Sequence, residues 1–279
     1  MNKKLSNGVL MPTFGLGTFL VEAGDKTYET VLHALKTGYR HIDTAQMYRN
    51  EHSVGDAIKD SGIPRQEIFI TTKQRGHSTP ENMRKQFMES LEKLKTDYVD
   101  LYLIHWPNHD KKVNQTTWAL FEALYKEGKV RAIGVSNFQK HHIIDLYETA
   151  TIKPMVNQVE LHPGLSQIPL QAFLDHEGIA TMSYGPFMKG GIFEGIWAEG
   201  LSKIATLHQC TIPQVVIAWG LVRDILMIPK SVTPARIEEN YQAQFITLSD
   251  VEIKTINELN RGKRVYTDPD NSPWGPYQP

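Results

Sequence analysis

The chain has 279 residues, 41% hydrophobic and 22% charged, proportions that supply a large buried core and exclude a disordered segment. Its 30 Lys and Arg against 31 Asp and Glu leave a formal charge of −1 with no basic block, which argues against nucleic acid or an anionic membrane surface as a partner. The single cysteine, Cys210, excludes an intramolecular disulfide and any cysteine-based metal cluster, and fits a reducing compartment.

Met1 to Gly8 lacks the apolar core of a signal peptide, and no window approaches the ~20 apolar residues of a membrane span, so a cytoplasmic protein is expected. Leu5-Ser-Asn-Gly-Val-Leu-Met11 sets an Asn-Gly pair between short apolar stretches, which predicts a hairpin with a two-residue loop that plugs one end of the main body of the fold. Eight β-rich runs then alternate with helix-length segments, at residues 13–17, 39–44, 68–73, 99–106, 130–136, 155–161, 180–184 and 226–230. Capping boxes mark helix starts at Ser78-Thr-Pro-Glu81, Thr211-Ile-Pro-Gln214 and Ser249-Asp-Val-Glu252, and Pro234 after Thr233 sits at a first helical position. Between them Cys210 reads as a small buried apolar residue. Pro and Gly cluster in the last seven residues, which predicts a terminal loop.

Regular strand and helix alternation implies βαβ units and a parallel sheet, either an open doubly wound sheet or a closed barrel. Gly15-Leu-Gly17 is followed by Thr-Phe-Leu, so the third glycine of a G-x-G-x-x-G dinucleotide turn is missing. Polar residues instead end nearly every strand, as expected where eight βα loops converge on one face. The expected fold is α/β, a (β/α)8 TIM barrel with an N-terminal β-hairpin. Such barrels need about 250 residues as one unit, so 1–279 is expected to be a single domain.

The strand ends carry Asp43, Lys73, His105, Ser136 with Asn137, Gln158, Tyr184 and Lys230. Taken singly, Asp43 could cap a helix and His105 could be a satisfied histidine at a strand end. Lys73 closes the run Ile-Phe-Ile-Thr-Thr-Lys and would be drawn into the barrel mouth, where it needs a counterion; Asp43, one βα unit earlier, is the nearest. Tyr48 lies five residues beyond Asp43, on the same rim. A phenol beside a lysine ammonium has its ionised form stabilised, which lowers its reference pKa of about 10 toward that of a working general acid. Carbonyl reduction needs such a donor, because hydride addition builds negative charge on oxygen. Two other chemistries use part of the set. Lys73 could be the Schiff-base nucleophile of a barrel aldolase, although an adjacent Asp43 would hold it charged. Glu160 and Asp43 could be paired glycosidase carboxylates, although Glu160 has no context that raises its pKa.

The runs Gly38-Tyr-Arg-His-Ile-Asp-Thr-Ala with Tyr48, Asn50 and Glu51, Asp97 through Pro107, Gly128 through Phe138, Asn157 through Pro163, and Ile228-Pro-Lys-Ser231 are long and specific. Over almost its whole length the chain resembles the aldo-keto reductase superfamily, in particular the prokaryotic and protozoan branch with diketogluconate reductases and prostaglandin F synthases. The resemblance implies an NADPH-dependent reductase of aldehydes and ketones, monomeric and without a metal, that acts on a small-molecule carbonyl. It implies a catalytic tetrad in which Tyr48 is the acid, Lys73 lowers its pKa, Asp43 pairs with Lys73 and His105 directs the carbonyl oxygen. For the cofactor it implies Gly17, Thr18 and Asp43, stacking of nicotinamide on Tyr184, and carboxamide contacts from Ser136, Asn137 and Gln158. Lys230, Ser231 and Arg236 would take the 2′-phosphate, and Glu239 and Asn240 the adenine. Phe19, His105 and Trp106 would line the substrate side. A cationic fork at a helix start suits a phosphate dianion, and an aromatic platform suits nicotinamide. An NADPH-binding regulatory barrel with slow turnover fits the same residues. The chain departs from the pattern at Gly185, where many relatives carry a serine that helps the pyrophosphate, and at Gln74, where a tryptophan commonly lines the pocket.

Overall fold

Two antiparallel strands, β1 (Asn2–Lys4) and β2 (Leu10–Pro12), open the chain. The computed structural model describes residues 1–76 and 78–272; His77 and the loop expected over 273–279 lie outside the described residues. The hairpin loop has three residues rather than two. Leu5 N–H donates to Val9 O at 2.9 Å, Gly8 N–H donates to Leu5 O at 2.8 Å, and Gly8 takes φ 88°. The Asn7 side chain is committed elsewhere, accepting from Val9 N–H at 3.2 Å and donating to Arg131 O at 2.9 Å. Only the glycine therefore enters the left-handed region, as in a three-residue turn closed by a bulge. Leu5 and Met11 are buried, and Lys3 pairs with Asp224 just ahead of the last strand, so the hairpin covers the end where the strands begin.

The strands β3 (Leu16–Gly17), β4 (His41–Asp43), β5 (Phe69–Lys73), β6 (Val99–Ile104), β7 (Val130–Ser136), β8 (Val156–Glu160), β9 (Ala180–Tyr184) and β10 (Leu226–Met227) pair in parallel in sequence order. A parallel bridge between Phe14 and Met227 joins last to first. Met227 N–H donates to Thr13 O and Gly15 N–H to Met227 O, both at 2.9 Å, which closes the barrel. The last strand stops short of the expected residue 230 because Pro229 has no N–H for the ladder. Its carbonyl still accepts from Gly17 N–H at 3.2 Å.

The connections carry α1 (Asp25–Thr37), α2 (Glu51–Asp60), α3 (Pro80–Leu94), α4 (Lys111–Lys126), α5 (Lys140–Tyr147), α6 (Ile168–Glu177), α7 (Gly195–Leu207), α8 (Ile212–Val222), α9 (Pro234–Gln242) and α10 (Asp250–Asn257). The boxes at Thr211 and Ser249 form as expected, and Pro234 opens α9. At α3 the frame moves by one: Thr79 is the cap, accepting from Asn82 N–H at 3.3 Å, because Pro80 takes the first helical position and leaves Ser78 outside. The inner face of α4 buries Trp118, Phe121 and Leu124, and Phe121 stacks on Tyr102 of β6 at 4.3 Å. Near the strand starts, buried Asp100 accepts from Arg65 at 2.8 Å, Arg131 at 2.6 Å and Ile70 N–H at 2.9 Å, which ties β5, β6 and β7 together. Cys210 is half-buried in the turn between α7 and α8 rather than in the core. Among the described residues no helix is long and apolar enough to cross a membrane.

Candidate active site

Alternation along a strand puts His41 and Asp43 of β4 on one face, and Thr71 and Lys73 of β5 on one face. The two faces meet inside the barrel in two layers. Below, His41 Nε2 and Thr71 Oγ1 lie 2.9 Å apart; above, Lys73 Nζ donates to Asp43 Oδ1 at 2.5 Å. Residue 15 is glycine because a Cβ there would fall 2.4 Å from His41 Nδ1. Lys73, fully buried, also donates to Thr44 O at 2.9 Å and to Tyr48 Oη at 3.2 Å. The other oxygen of Asp43 accepts from Gln158 Nε2 at 2.7 Å. Burial pushes Asp43 up and Lys73 down, each toward its neutral form, and their contact opposes both shifts.

Tyr48 ends a single 3-10 turn, Gln46–Tyr48, between β4 and α2. Gln46 anchors that turn by donating to Ser90 Oγ at 2.9 Å and accepting from Arg75 N–H at 2.6 Å. The Tyr48 ring meets His105 edge-on at 5.7 Å and Phe19 at 5.1 Å. Burial raises the Tyr48 pKa well above the ordinary phenol value, and the charges of Asp43 and Tyr266 add to it. The phenol is therefore held protonated, with its proton in place at neutral pH, while the Lys73 contact at 3.2 Å favours the phenolate. Burial, reinforced by Lys73, lowers His105 well below the usual imidazole range, and it stands neutral. Its Nδ1 is buried with no partner among the described residues.

The strand ends beyond these link into one network. Ser136 Oγ donates to Gln158 O at 2.9 Å, and Asn137 Nδ2 donates to His105 O at 2.9 Å. Asn137 Oδ1 accepts from Tyr184 Oη at 2.7 Å. On the opposite side Thr18 Oγ1 donates to Asp43 O at 3.0 Å, and a Cβ on Gly17 would lie 2.8 Å from Ile228 O. Phe19 is exposed on the rim, and Trp106 is half-buried after His105. Hydrogen bonds thus link Thr18, Asp43, His105, Ser136, Asn137, Gln158 and Tyr184 near the mouth.

A second group follows β10. Lys230 and Arg236 are exposed, Arg236 on the first turn of α9, and Ser231 Oγ accepts from Thr233 N–H at 3.3 Å. Two cations at a helix start fit a phosphate dianion. Asn240 is buried on the next turn, while the Glu239 carboxylate accepts from Thr211 Oγ1 at 2.8 Å. The chemistry of both groups of residues fits a phosphorylated nicotinamide dinucleotide.

Sequence reasoning gives no role to Asn50, Glu51 or Tyr266. Asn50 accepts from Thr44 Oγ1 at 2.8 Å and donates to Thr18 O at 3.0 Å, fastening the loop that bears Tyr48. Glu51 accepts from Thr72 Oγ1 at 2.7 Å behind Lys73, and burial raises its pKa. Both stand in the run beside Tyr48, and their polarity next to a buried strand is the available signal. Tyr266 meets Tyr184 edge-on at 5.2 Å, with no local signal at all. Gln74 turns into the core, donating to Met83 Sδ at 3.0 Å and 1% exposed, so it does not line a pocket.

The rival chemistries lose their residues. Glu160 is engaged by Val265 N–H at 2.6 Å, Tyr266 N–H and Arg264, both at 3.3 Å, and His162 at 3.0 Å, so it is not a glycosidase carboxylate. The Lys73 amine directs its protons at three acceptors and presents no free lone pair for a Schiff base.

A model of the Aldo/keto reductase family matches residues 13–261. Glyoxal reductase of Bacillus subtilis is 46% identical over 96% of this chain and 95% of its own length. Among solved structures, an aldo-keto reductase enzyme from a Medee basin deep-sea metagenome library matches with a TM-score of 0.92 at 45% identity, covering 98% of this chain and 99% of that one. A Bombyx mori aldo-keto reductase in complex with NADP matches with a TM-score of 0.88 at 31% identity, over 96% and 95%.

Proposed function

Since the chain belongs to the Aldo/keto reductase family, it is an NADPH-dependent oxidoreductase that reduces carbonyl groups, and we propose that Tyr48, Lys73, Asp43 and His105 carry out that reduction on a small α-dicarbonyl. The observation that carries the reading is Lys73 Nζ, buried and donating at once to Asp43 and to Tyr48. Bound NADPH supplies the hydride. Neutral His105 orients the carbonyl oxygen through a ring N–H, and Tyr48 gives that oxygen its proton as negative charge develops. The phenolate left behind is stabilised by the Lys73 ammonium, and Asp43 keeps the ammonium in place and charged. Tyr184 is the platform for nicotinamide, and Ser136, Asn137 and Gln158 exchange hydrogen bonds with its carboxamide. Gly17 and Thr18 border the same end. Lys230, Ser231 and Arg236 hold the 2′-phosphate, with Glu239 and Asn240 beside the adenine.

The dicarbonyl substrate is supported by the 46% identity to a glyoxal reductase, and it would sit beside Phe19, whose ring lies 5.1 Å from that of Tyr48, with Trp106 the residue after His105. The same reading treats residues 1–279 as one domain, since every strand that places a site residue belongs to the one sheet, and takes the protein as a cytoplasmic monomer. Lys73→Met should cut turnover of glyoxal at least ~100-fold while leaving NADPH binding within a few-fold, measured by fluorescence titration. Turnover at the unmodified rate in that variant would refute the proton-transfer assignment, and a higher kcat/KM for aldoses than for dicarbonyls would refute the substrate class.

A further inference from the structure

Gly185 directly follows Tyr184 at the end of β9 and holds φ +62°. A Cβ there would lie 2.4 Å from Cε2 and 2.9 Å from the hydroxyl oxygen of Tyr266. The Tyr266 ring therefore occupies the space that a side chain at 185 would take. The same ring meets Tyr184 edge-on at 5.2 Å, and Lys189 Nζ stands 4.4 Å from its centre. Buried Glu160 fixes this segment by accepting from the backbone N–H groups of Val265 and Tyr266.

We propose that Gly185 and Tyr266 form one matched unit of the dinucleotide groove, in which Tyr266 braces Tyr184 and stations Lys189 against the cofactor's diphosphate. The inference rests on reading Tyr184 as the nicotinamide platform and Lys230 with Arg236 as the 2′-phosphate site. Those two places lie at the ends of the neighbouring strands β9 and β10. A dinucleotide joining them carries its diphosphate past the loop after β9, which contains Gly185, Lys189, Gly190 and Gly191. A diphosphate calls for a cation and for close approach of backbone, and this loop offers an exposed lysine among glycines. The cation is not free to wander, because an aromatic face attracts it.

The test is the dissociation constant for NADPH and for NADH, read from quenching of protein fluorescence on the full chain. Lys189→Met and Tyr266→Ala should each weaken both nucleotides by the same factor, about three- to tenfold, because the diphosphate is common to both. Lys230→Ala, by contrast, should weaken NADPH alone. Gly185→Ser drives a side chain into the ring and should weaken binding further, and adding Tyr266→Gly should restore part of that loss. Wild-type constants for both nucleotides in Lys189→Met and Tyr266→Ala would overturn the proposal. So would losses at 185 and 266 that simply add. Wild-type protein that binds neither nucleotide would overturn the cofactor reading itself, and this proposal with it. Lys189→Met is a surface change, so the test stands even where Gly185→Ser fails to fold.

Discussion

At the scale of single residues, the proposed acid is a phenol whose proton is secured by burial and whose loss is eased by the hydrogen bond from Lys73. Burial raises Tyr48 well above the phenol range and lowers His105 well below the imidazole range. The acid form of Tyr48 is therefore present at all pH values below its raised pKa, and His105 is neutral at all pH values above its lowered one. kcat for glyoxal should accordingly be flat from pH 6 to the usual phenol pKa of about 10, falling only beyond it. A loss of kcat centred near neutral pH would show that another group sets the protonation state. Lys230→Ala and Arg236→Ala should raise the NADPH dissociation constant about tenfold or more with little change for NADH, since each would remove the proposed charge-assisted contact to a phosphate that only NADPH carries. Equal losses for both nucleotides, by titration, would remove the 2′-phosphate from this loop.

At the scale of elements, the features legible in the sequence are local ones. The boxes at Thr211 and Ser249 and the proline opening α9 act within one turn, so three or four residues decide them. Ser249→Ala should lower stability by ~1 kcal/mol in a urea melt and leave turnover untouched. The β10 boundary departs from expectation because Pro229 ends a ladder that composition alone would continue, and the hairpin loop because Asn7 spends its amide on Arg131, far along the chain. Asn50 and Tyr266 are beyond reach of sequence for the same reason. Asn50→Ala leaves Thr18 O and Thr44 Oγ1 short of partners in a buried place, which should cost about 1–3 kcal/mol and loosen the Tyr48 turn. A melt unchanged from wild type would show that water replaces the amide without loss.

At the scale of the molecule, the meeting of the proposed catalytic groups is legible because a parallel barrel gathers strand ends on one face, so residues 30 and more positions apart need no further device to meet. The C-terminal segment, which reaches the same face where Glu160 accepts from Val265 and Tyr266 N–H and where Tyr266 meets Tyr184, obeys no such rule. The barrel interior also sets acid stability. Burial lowers His41 from 6.5 to about 3. Below pH 6.5 the unfolded chain takes up a proton that the folded barrel refuses, so stability rises with pH across that window and is lost as pH falls through it. The loss from this one group is on the order of 3 kcal/mol by pH 4. His41→Leu should flatten the acid limb of a stability curve measured by urea melts, and an unchanged slope would assign that limb to other groups.

Tyr48 is the proposed proton donor for the hydride reduction. The most direct test of that role is a single turnover of glyoxal with 4-deuterated NADPH on wild type and Tyr48→Phe, with the alcohol product analysed by mass spectrometry. The expected result is one deuterium on carbon per NADPH oxidised, and a rate at least ~1000-fold lower in the variant with NADPH affinity intact. A Tyr48→Phe enzyme that turns over at the wild-type rate would contradict it.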